Sequence, residues 1–465
     1  MEQQAPFESS PLLGDAARLS RPELEALQLS KLKQQIARLY KKSAYYHDRM
    51  KQAGLTPDDI TSIRTFTERF PTTNKADFLK DQNEHPPFGE RLSIDRNEVA
   101  LVNMTGGTSG QGQEIYGRTH RDIHQLGYLH ALPWYFAGLR RGQIAINCVP
   151  SGGLTTGGWG PAEGFRIIGA TAFNAGGTLS TDALIDLMVR IGDVNFIYAS
   201  TNYLHTLTEA MLKRGISPKD SFPNMRGLFI AAEGYPLEWA TKIETHWNCR
   251  LQEGYGSTQC NGFGGSTCDN GVFGDYNGRG LIRLFEWEFL FEIIDPDTNQ
   301  PTEPGERGEL VVTTLSAQGS PTVRFRTGDS ARYIPWDQVD DGRAWNAIPC
   351  GEISRLDDMM KIRGNNVWPS AIDAAIFSFA EVNEYAGRVF TENGKTQVLV
   401  RIALNDNALS MTENQKTNFL RSVQDAIKQK TNVKMQIEIA PRSALPEFTY
   451  KARRWTDDRQ EGYQL

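Results

Sequence analysis

The stretch Met104-Thr105-Gly106-Gly107-Thr108-Ser109-Gly110-Gln111-Gly112 mixes hydroxyls with glycines directly after the apolar run Val99-Ala100-Leu101-Val102. A strand that opens into such a loop lets backbone N–H groups and hydroxyls close around phosphate oxygens, because no Cβ blocks the approach. It is not a Walker loop, since no Gly-Lys-Ser/Thr follows, and the usual NTPase reading fails. Glycine clusters at 105–112, 152–160 and 254–280, which points to several loops meeting at one site.

Those loops need a scaffold. At 465 residues the chain has room for two or more domains and a large core. A formal charge of −6 argues against a nucleic-acid partner. No apolar run is long enough to span a bilayer, and no charged-then-apolar secretory start is present. Five cysteines, at 148, 249, 260, 268 and 350, are odd in number and scattered, so a reducing cytoplasm is the simplest home. Residues 1–20 read as an extended arm, and 21–51 as helical from Leu24, Leu27, Leu29, Leu32, Ile36 and Tyr40. Apolar runs at 144–149, 196–199 and 227–232 alternate with helical stretches at 119–138, 181–192, 200–214 and 236–247. That alternation predicts an α/β body with largely parallel sheets. Strands at 289–295, 309–315 and 323–326 form a small barrel-like β layer, and an α+β domain of helices at 369–379 and 412–430 and strands at 396–403 and 433–440 follows.

Four segments then line up in one order: the loop 105–110, Gly254-Tyr255-Gly256-Ser257-Thr258-Gln259, Arg324-Phe325-Arg326-Thr327-Gly328-Asp329, and Arg355-Leu356-Asp357-Asp358 running to Arg363-Gly364, with a late Lys451. This order resembles the adenylate-forming superfamily of acyl-CoA synthetases, peptide-synthetase adenylation domains and luciferases. Leu29-Lys31-Leu32…Tyr45-Tyr46, Phe70-Pro71-Thr72-Thr73-Asn74-Lys75 and Gly364…Val367-Trp368-Pro369-Ser370 resemble its phenylacetate–CoA ligase branch. The resemblance implies a large N-terminal ATP- and acid-binding domain over 1–356 and a small mobile C-terminal domain over 357–465.

It also implies chemistry in two halves. A carboxylate attacks the α-phosphate of ATP, giving an acyl-adenylate and pyrophosphate, and a thiol such as coenzyme A then takes the acyl group. The first half gathers anions, so it calls for fixed positive charge and N–H donors. Thr105, Gly106, Gly107, Thr108, Ser109 and Gly110 are expected to hold the β- and γ-phosphates, with Gln111 and Gln113 where the family often has Lys. Gly254, Tyr255, Gly256, Ser257 and Thr258 are expected along the AMP, with the Tyr255 ring against adenine and Thr258 on the α-phosphate. Gln259 stands where the family normally has a Mg²⁺-binding Glu, and is a weaker, neutral ligand. Asp329 is expected on the ribose hydroxyls and Arg355 on ribose or phosphate, with Glu233 beside the nucleotide. Lys451 is the expected adenylation residue, Asp357 the hinge, Gly364 the thiol channel and Lys361 a helper in the second half.

The acid pocket is expected to draw on Gly152, Thr155, Gly158, Trp159 and Ala231, closed by Tyr135. Phenylacetate ligases carry rings early in the first of these segments, and Gly and Thr here leave room for a larger or polar-substituted acid. Members of the branch can hold zinc near Cys260, Cys268 and Cys350, but three scattered thiols make a poor tetrahedral site. The expected activity is an ATP-, Mg²⁺- and CoA-dependent acid–CoA ligase for an aromatic or bulky acid. The alternatives are transfer to a carrier protein or an amine, and a non-catalytic nucleotide-binding relative. A homodimer is compatible with the sequence.

Overall fold

The alternating apolar runs come together in one eight-stranded sheet that carries most of the loops singled out above. The computed structural model describes residues 18–105, 112–231, 234–268, 270–339, 341–356, 360–363, 365–392, 395–446 and 454–459. The chain divides into two units, one of Met1–Ala199, Leu207–Ala232 and Glu244–Cys350, the other of Ser200–Thr206, Glu233–Ile243 and Gly351–Leu465.

In the larger unit, helix α1 (Arg21–Lys42) starts at Ser20, whose capping box with Glu23 satisfies first-turn donors. Its Leu24, Leu32, Ile36 and Leu39 are buried at helical spacing. The single helix expected over 21–51 is instead two. Ser43 takes an extended conformation (φ −122°, ψ 114°) and caps the next helix, Ala44–Gln52, by accepting from the Tyr46 N–H. The Ser43 hydroxyl also donates to the Glu90 carbonyl at 2.8 Å, which holds the break open.

A two-stranded antiparallel hairpin follows, β1 (Leu101–Met104) and β2 (Ile115–Arg118), with Leu101 opposite Arg118 and Met104 opposite Ile115. Helix α2 (His120–Phe136) then leads into the sheet. Strand β3 (Ile144–Pro150) pairs in parallel with β4 (Thr171–Gly176) and with β5 (Phe196–Ser200), and β6 (Gly227–Ala231) in parallel with β7 (Leu251–Ser257). Beyond β7 the pairing turns antiparallel through β8 (Gly262–Ser266). Strands Phe289–Ile294, Arg307–Thr314 and Phe325–Arg332 pair antiparallel in the β layer foreseen from the sequence.

The glycine cluster at 152–160 is loop only as far as Thr155. Thr156–Ile168 is helix α3, although it contains glycines at 157, 158, 160 and 164 and Pro161. Tertiary packing overrides propensity here. A Cβ at Gly160 would stand 2.0 Å from the His130 ring, and one at Gly164 would stand 2.5 Å from Trp134. The helices α2 and α3 therefore meet backbone to side chain, with Trp134 stacked on Phe165 at 4.1 Å.

The smaller unit is α+β. Its sheet runs in the order Gln436–Ile439, Lys395–Leu404, Val382–Glu392, Trp455–Asp457. Helices Pro369–Ile376 and Glu413–Thr431 supply Ile372, Ile376, Phe419, Val423 and Ile427 to its core.

Candidate active site

In an open sheet of parallel strands, ligands lie beyond the carboxyl ends of the strands near a reversal of strand order. The sheet reverses between β3 and β5, since β4 lies outside β3 and the later strands run the other way. Three expected site segments leave the sheet at this edge. β3 feeds 151–155, β6 ends on Ala231, and β7 ends on Ser257, just before Thr258. Ala231 lies beside Gly254 in parallel register. Gly254 is required by packing, because a Cβ there would stand 2.7 Å from Phe229 and 2.8 Å from Phe263. A Cβ at Gly256 would stand 2.7 Å from the Gly262 carbonyl.

The first of these segments folds back on itself. Thr155 caps α3 by accepting from the Gly158 N–H at 3.2 Å, and the Gly152 N–H donates to the Gly158 carbonyl at 2.9 Å. The Trp159 indole donates to the Gly153 carbonyl at 2.8 Å, yet the ring stays 42% exposed beside an exposed Leu154. Two bonds bring this segment to the others. The Met104 N–H donates to the Leu154 carbonyl at 2.6 Å, and the Thr156 and Thr258 hydroxyl oxygens are 3.4 Å apart. Thr105, the acid-side turn and Thr258 thus share one small region of the larger unit.

Tyr135 is not brought there. It lies two residues before Ala137, whose carbonyl is 2.3 Å from a Cβ placed at Gly227, at the opposite end of β6 from Ala231. The Arg140 guanidinium sits 3.8 Å over its ring. His130, which sequence reading did not single out, lines the α3 boundary together with Trp134. It is fully buried, bonded through Nδ1 to the Leu126 carbonyl at 2.8 Å, and burial pushes its imidazole down to about 4. It is neutral at physiological pH.

Tyr255 and Asp329 meet directly. The Tyr255 hydroxyl donates to Asp329 Oδ2 at 2.8 Å, and burial together with that carboxylate holds the phenol well above its ordinary range. A carboxylate oxygen can accept more than one bond, so Asp329 keeps capacity for a ribose hydroxyl. Its own N–H donates to Thr327 Oγ1 at 3.0 Å.

The hairpin adds residues that sequence reading did not single out. Thr105 Oγ1 accepts from the Glu114 N–H at 3.0 Å, and the Thr105 N–H donates to the Glu114 carbonyl at 3.1 Å. Glu114 is buried and accepts from the Tyr116 hydroxyl at 3.0 Å. The Gln259 amide nitrogen donates to both Glu114 oxygens, at 3.1 and 3.2 Å. Arg118 Nη2 donates to the Thr258 carbonyl at 2.6 Å. Arg118 and Arg91 lie against the Tyr116 ring, 5.0 and 4.3 Å from its centroid. Asn103, opposite Tyr116 in the hairpin register, is fully buried. The signal was a polar residue at every second position, Glu114, Tyr116 and Arg118, in a strand beside the loop.

Gln259 is therefore a hydrogen-bond donor toward a carboxylate, which does not suit the nitrogen side of its amide to a hard cation. Among the described residues no three His, Cys, Asp or Glu groups cluster as metal ligands. Cys260, Cys268 and Cys350 are buried free thiols, and burial raises the thiols of Cys260 and Cys350. In the smaller unit, Arg355 closes the strand Ser354–Arg355, and Lys361 lies on the strand Met360–Ile362, paired with Asn365–Val367. Gly106, Gly107, Thr108, Ser109, Gly110, Glu233, Asp357, Gly364 and Lys451 lie outside the described residues.

The sequence matches the AMP-binding enzyme family over residues 26–317 and the AMP-binding enzyme C-terminal domain over 364–459. It is 30% identical to the phenylacetate-coenzyme A ligase of Thermus thermophilus over 370 residues, 78% of this chain and 77% of that one. It is 27% identical to the Escherichia coli phenylacetate-coenzyme A ligase over 439 residues, 94% and 95% of the two chains. In fold it is similar to a 2-hydroxyisobutyryl-CoA ligase crystallised with R3-HIB-AMP, at a TM-score of 0.86 and 21% identity, over 99% of this chain and 95% of that one.

Proposed function

The chain belongs to the AMP-binding enzyme family, and from that premise we propose that it is an AMP-forming acid–CoA ligase for an aromatic or similarly bulky carboxylic acid. The carboxylate attacks the α-phosphate of Mg·ATP, pyrophosphate leaves, and the thiol of coenzyme A then displaces AMP from the acyl-adenylate. The observation that carries this reading is the convergence of Thr105, Thr156 and Thr258. A hydroxyl flanking the expected phosphate loop, the first turn of the acid-side helix and the adenylate motif stand together, which supports a site where the two substrates meet.

Each group then has a task. Thr258 donates to the α-phosphate, while Tyr255 and Asp329 form the nucleoside end. Gly152, Thr155, Gly158, Trp159 and Ala231 bound the acid. Mg²⁺ arrives with ATP as part of the substrate and offsets phosphate charge. The resemblance further assigns Lys451 to the charge that builds during adenylation. It assigns Asp357 to the hinge between residues 1–356 and 357–465, and Lys361 and Gly364 to the thiol half.

A panel of carboxylic acids scored by acid-dependent exchange of pyrophosphate into ATP, and by AMP release with and without CoA, tests the reading. Aromatic acids larger than phenylacetate should give the highest rates, with AMP release strongly increased by CoA. Exchange without any CoA effect, restored by a carrier protein or an amine, assigns a different acceptor. No exchange with any acid overturns the proposal.

A further inference from the structure

We propose that Gln259 and Arg118 are positioning residues that latch the adenylate motif to the β1–β2 hairpin, fixing the separation of Thr105 and Thr258 at which ATP phosphates are held. The proposal rests on the adenylating activity put forward above and adds residues to it.

The geometry is a pair of struts between two segments. Consecutive motif residues, 258 and 259, are gripped from Arg118 and Glu114, residues that share one face because side chains alternate along a strand. One strut is the Arg118 guanidinium on the Thr258 carbonyl, at 2.6 Å. The other is the Gln259 amide nitrogen across both Glu114 oxygens, at 3.1 and 3.2 Å. Turning that amide over would set its oxygen against a carboxylate, so its orientation is fixed by electrostatics. Glu114 is itself bonded through its backbone N–H and carbonyl to Thr105. The motif side is held too, since the Gln259 carbonyl accepts from Thr322 Oγ1 at 3.0 Å.

The surrounding charges make the pair selective. Asp122, beside Arg118, accepts from the backbone N–H groups of Thr119, Gln318 and Gly319, so its oxygens are bonded to the turn and only its charge acts on the guanidinium. Arg118 and Arg91 both lie against the Tyr116 ring. A second carboxylate at position 259 would meet Glu114 at hydrogen-bond distance, where two like charges cannot both ionise. An amide at one end and a carboxylate at the other is the arrangement that attracts.

The test is a charge exchange. Gln259→Glu should raise the KM for Mg·ATP in pyrophosphate exchange by about ten- to a hundredfold, with a smaller change in kcat. Thioester formation from supplied acyl-adenylate should stay within about twofold, since it needs no triphosphate. The double variant Glu114→Gln/Gln259→Glu swaps amide and carboxylate and should bring KM back to within about threefold of wild type. Arg118→Met should behave like Gln259→Glu, and Arg118→Lys should recover part of the loss. Denaturation midpoints for every variant separate a lost latch from lost folding. The latch is overturned if Gln259→Glu alone lowers the KM or the Mg²⁺ requirement, as a metal ligand at 259 would. It is equally overturned if the double variant is no better than the single, or if both half-reactions fall together. Should the wild type show no exchange with any acid, the functional reading fails instead. The latch is then decided by the 114/259 cycle in unfolding, where a coupling under about threefold overturns it.

Discussion

Each of the two units buries an arginine cluster, and the two clusters are finished to different degrees. In the smaller unit Arg454 makes two bonds to Glu384, at 2.6 and 3.0 Å, and stands 3.8 Å from Asp373. The Tyr385 hydroxyl donates to Asp373 at 2.6 Å and accepts from the Trp455 indole at 3.1 Å. Under the hairpin of the larger unit, Arg118 and Arg91 each leave Nε and Nη1 without a hydrogen-bond partner among the described residues, and the Asn103 amide has none there at either end. A buried polar group without a partner costs about 1–3 kcal/mol, so six such atoms at one place are a standing expense. A closed network specifies a shape. An open one, beside the residues proposed to hold phosphate, marks where geometry answers to a substrate rather than to stability.

The largest effect should come from opening the closed cluster. Arg454→Met removes the cation from buried Glu384 and partly exposed Asp373 and should destabilise the smaller unit by about 3–4 kcal/mol, read by urea denaturation or hydrogen exchange. A change under about 1 kcal/mol would erase the contrast. Acid should come next and act on the other unit. Folded His130 titrates near 4 against an ordinary 6.5, so the unfolded chain binds its proton first. The stability it contributes is complete above about pH 6.5 and is lost as pH falls toward 4, about 3 kcal/mol in all. Asp373, raised chiefly by burial, works in the opposite sense, because its folded form takes up the proton earlier. Denaturation of the larger unit should therefore steepen with acid, and His130→Gln should flatten that slope.

Asn103→Leu sharpens the comparison from the open side. Replacing an unpartnered buried amide with an apolar side chain of similar size should leave stability unchanged or raise it by about 1 kcal/mol. The KM for ATP should meanwhile rise several-fold. A loss of both together would make the open cluster structural. The smallest effect is expected for Tyr385→Phe, about 1 kcal/mol from the closed cluster, checked by the denaturation midpoint.

Much of the fold was legible in the sequence because apolar runs of strand length between helical stretches have few other solutions. The helix Thr156–Ile168 was not, since its glycines read as loop chemistry. They are there for the close approach of His130 and Trp134, a reason that lies in another segment. For the candidate site, the order of motifs singled out Tyr255, Thr258 and Asp329, of which the first and last are bonded in the structure. Helical spacing alone could not say that Tyr135 lies toward the opposite end of β6 from Ala231. Nor does a sequence state which atom of Gln259 faces its neighbour, and that depends on Glu114, far away in the chain. The alternating polar residues of β2 were visible, but polar alternation usually marks a solvated face.

The crossing of α2 and α3 gives the protein a remote handle on what it accepts. The first turn of α3 carries the proposed acid wall, and the distance of α3 from α2 is set by bare glycine against His130 and Trp134. One added methyl at Gly160 or Gly164 would have to lift the whole helix, carrying Thr155, Thr156 and Trp159 with it. The gauge of the acid pocket can thus drift through changes that no substrate ever touches, so lineages sharing every lining residue can still diverge in diet.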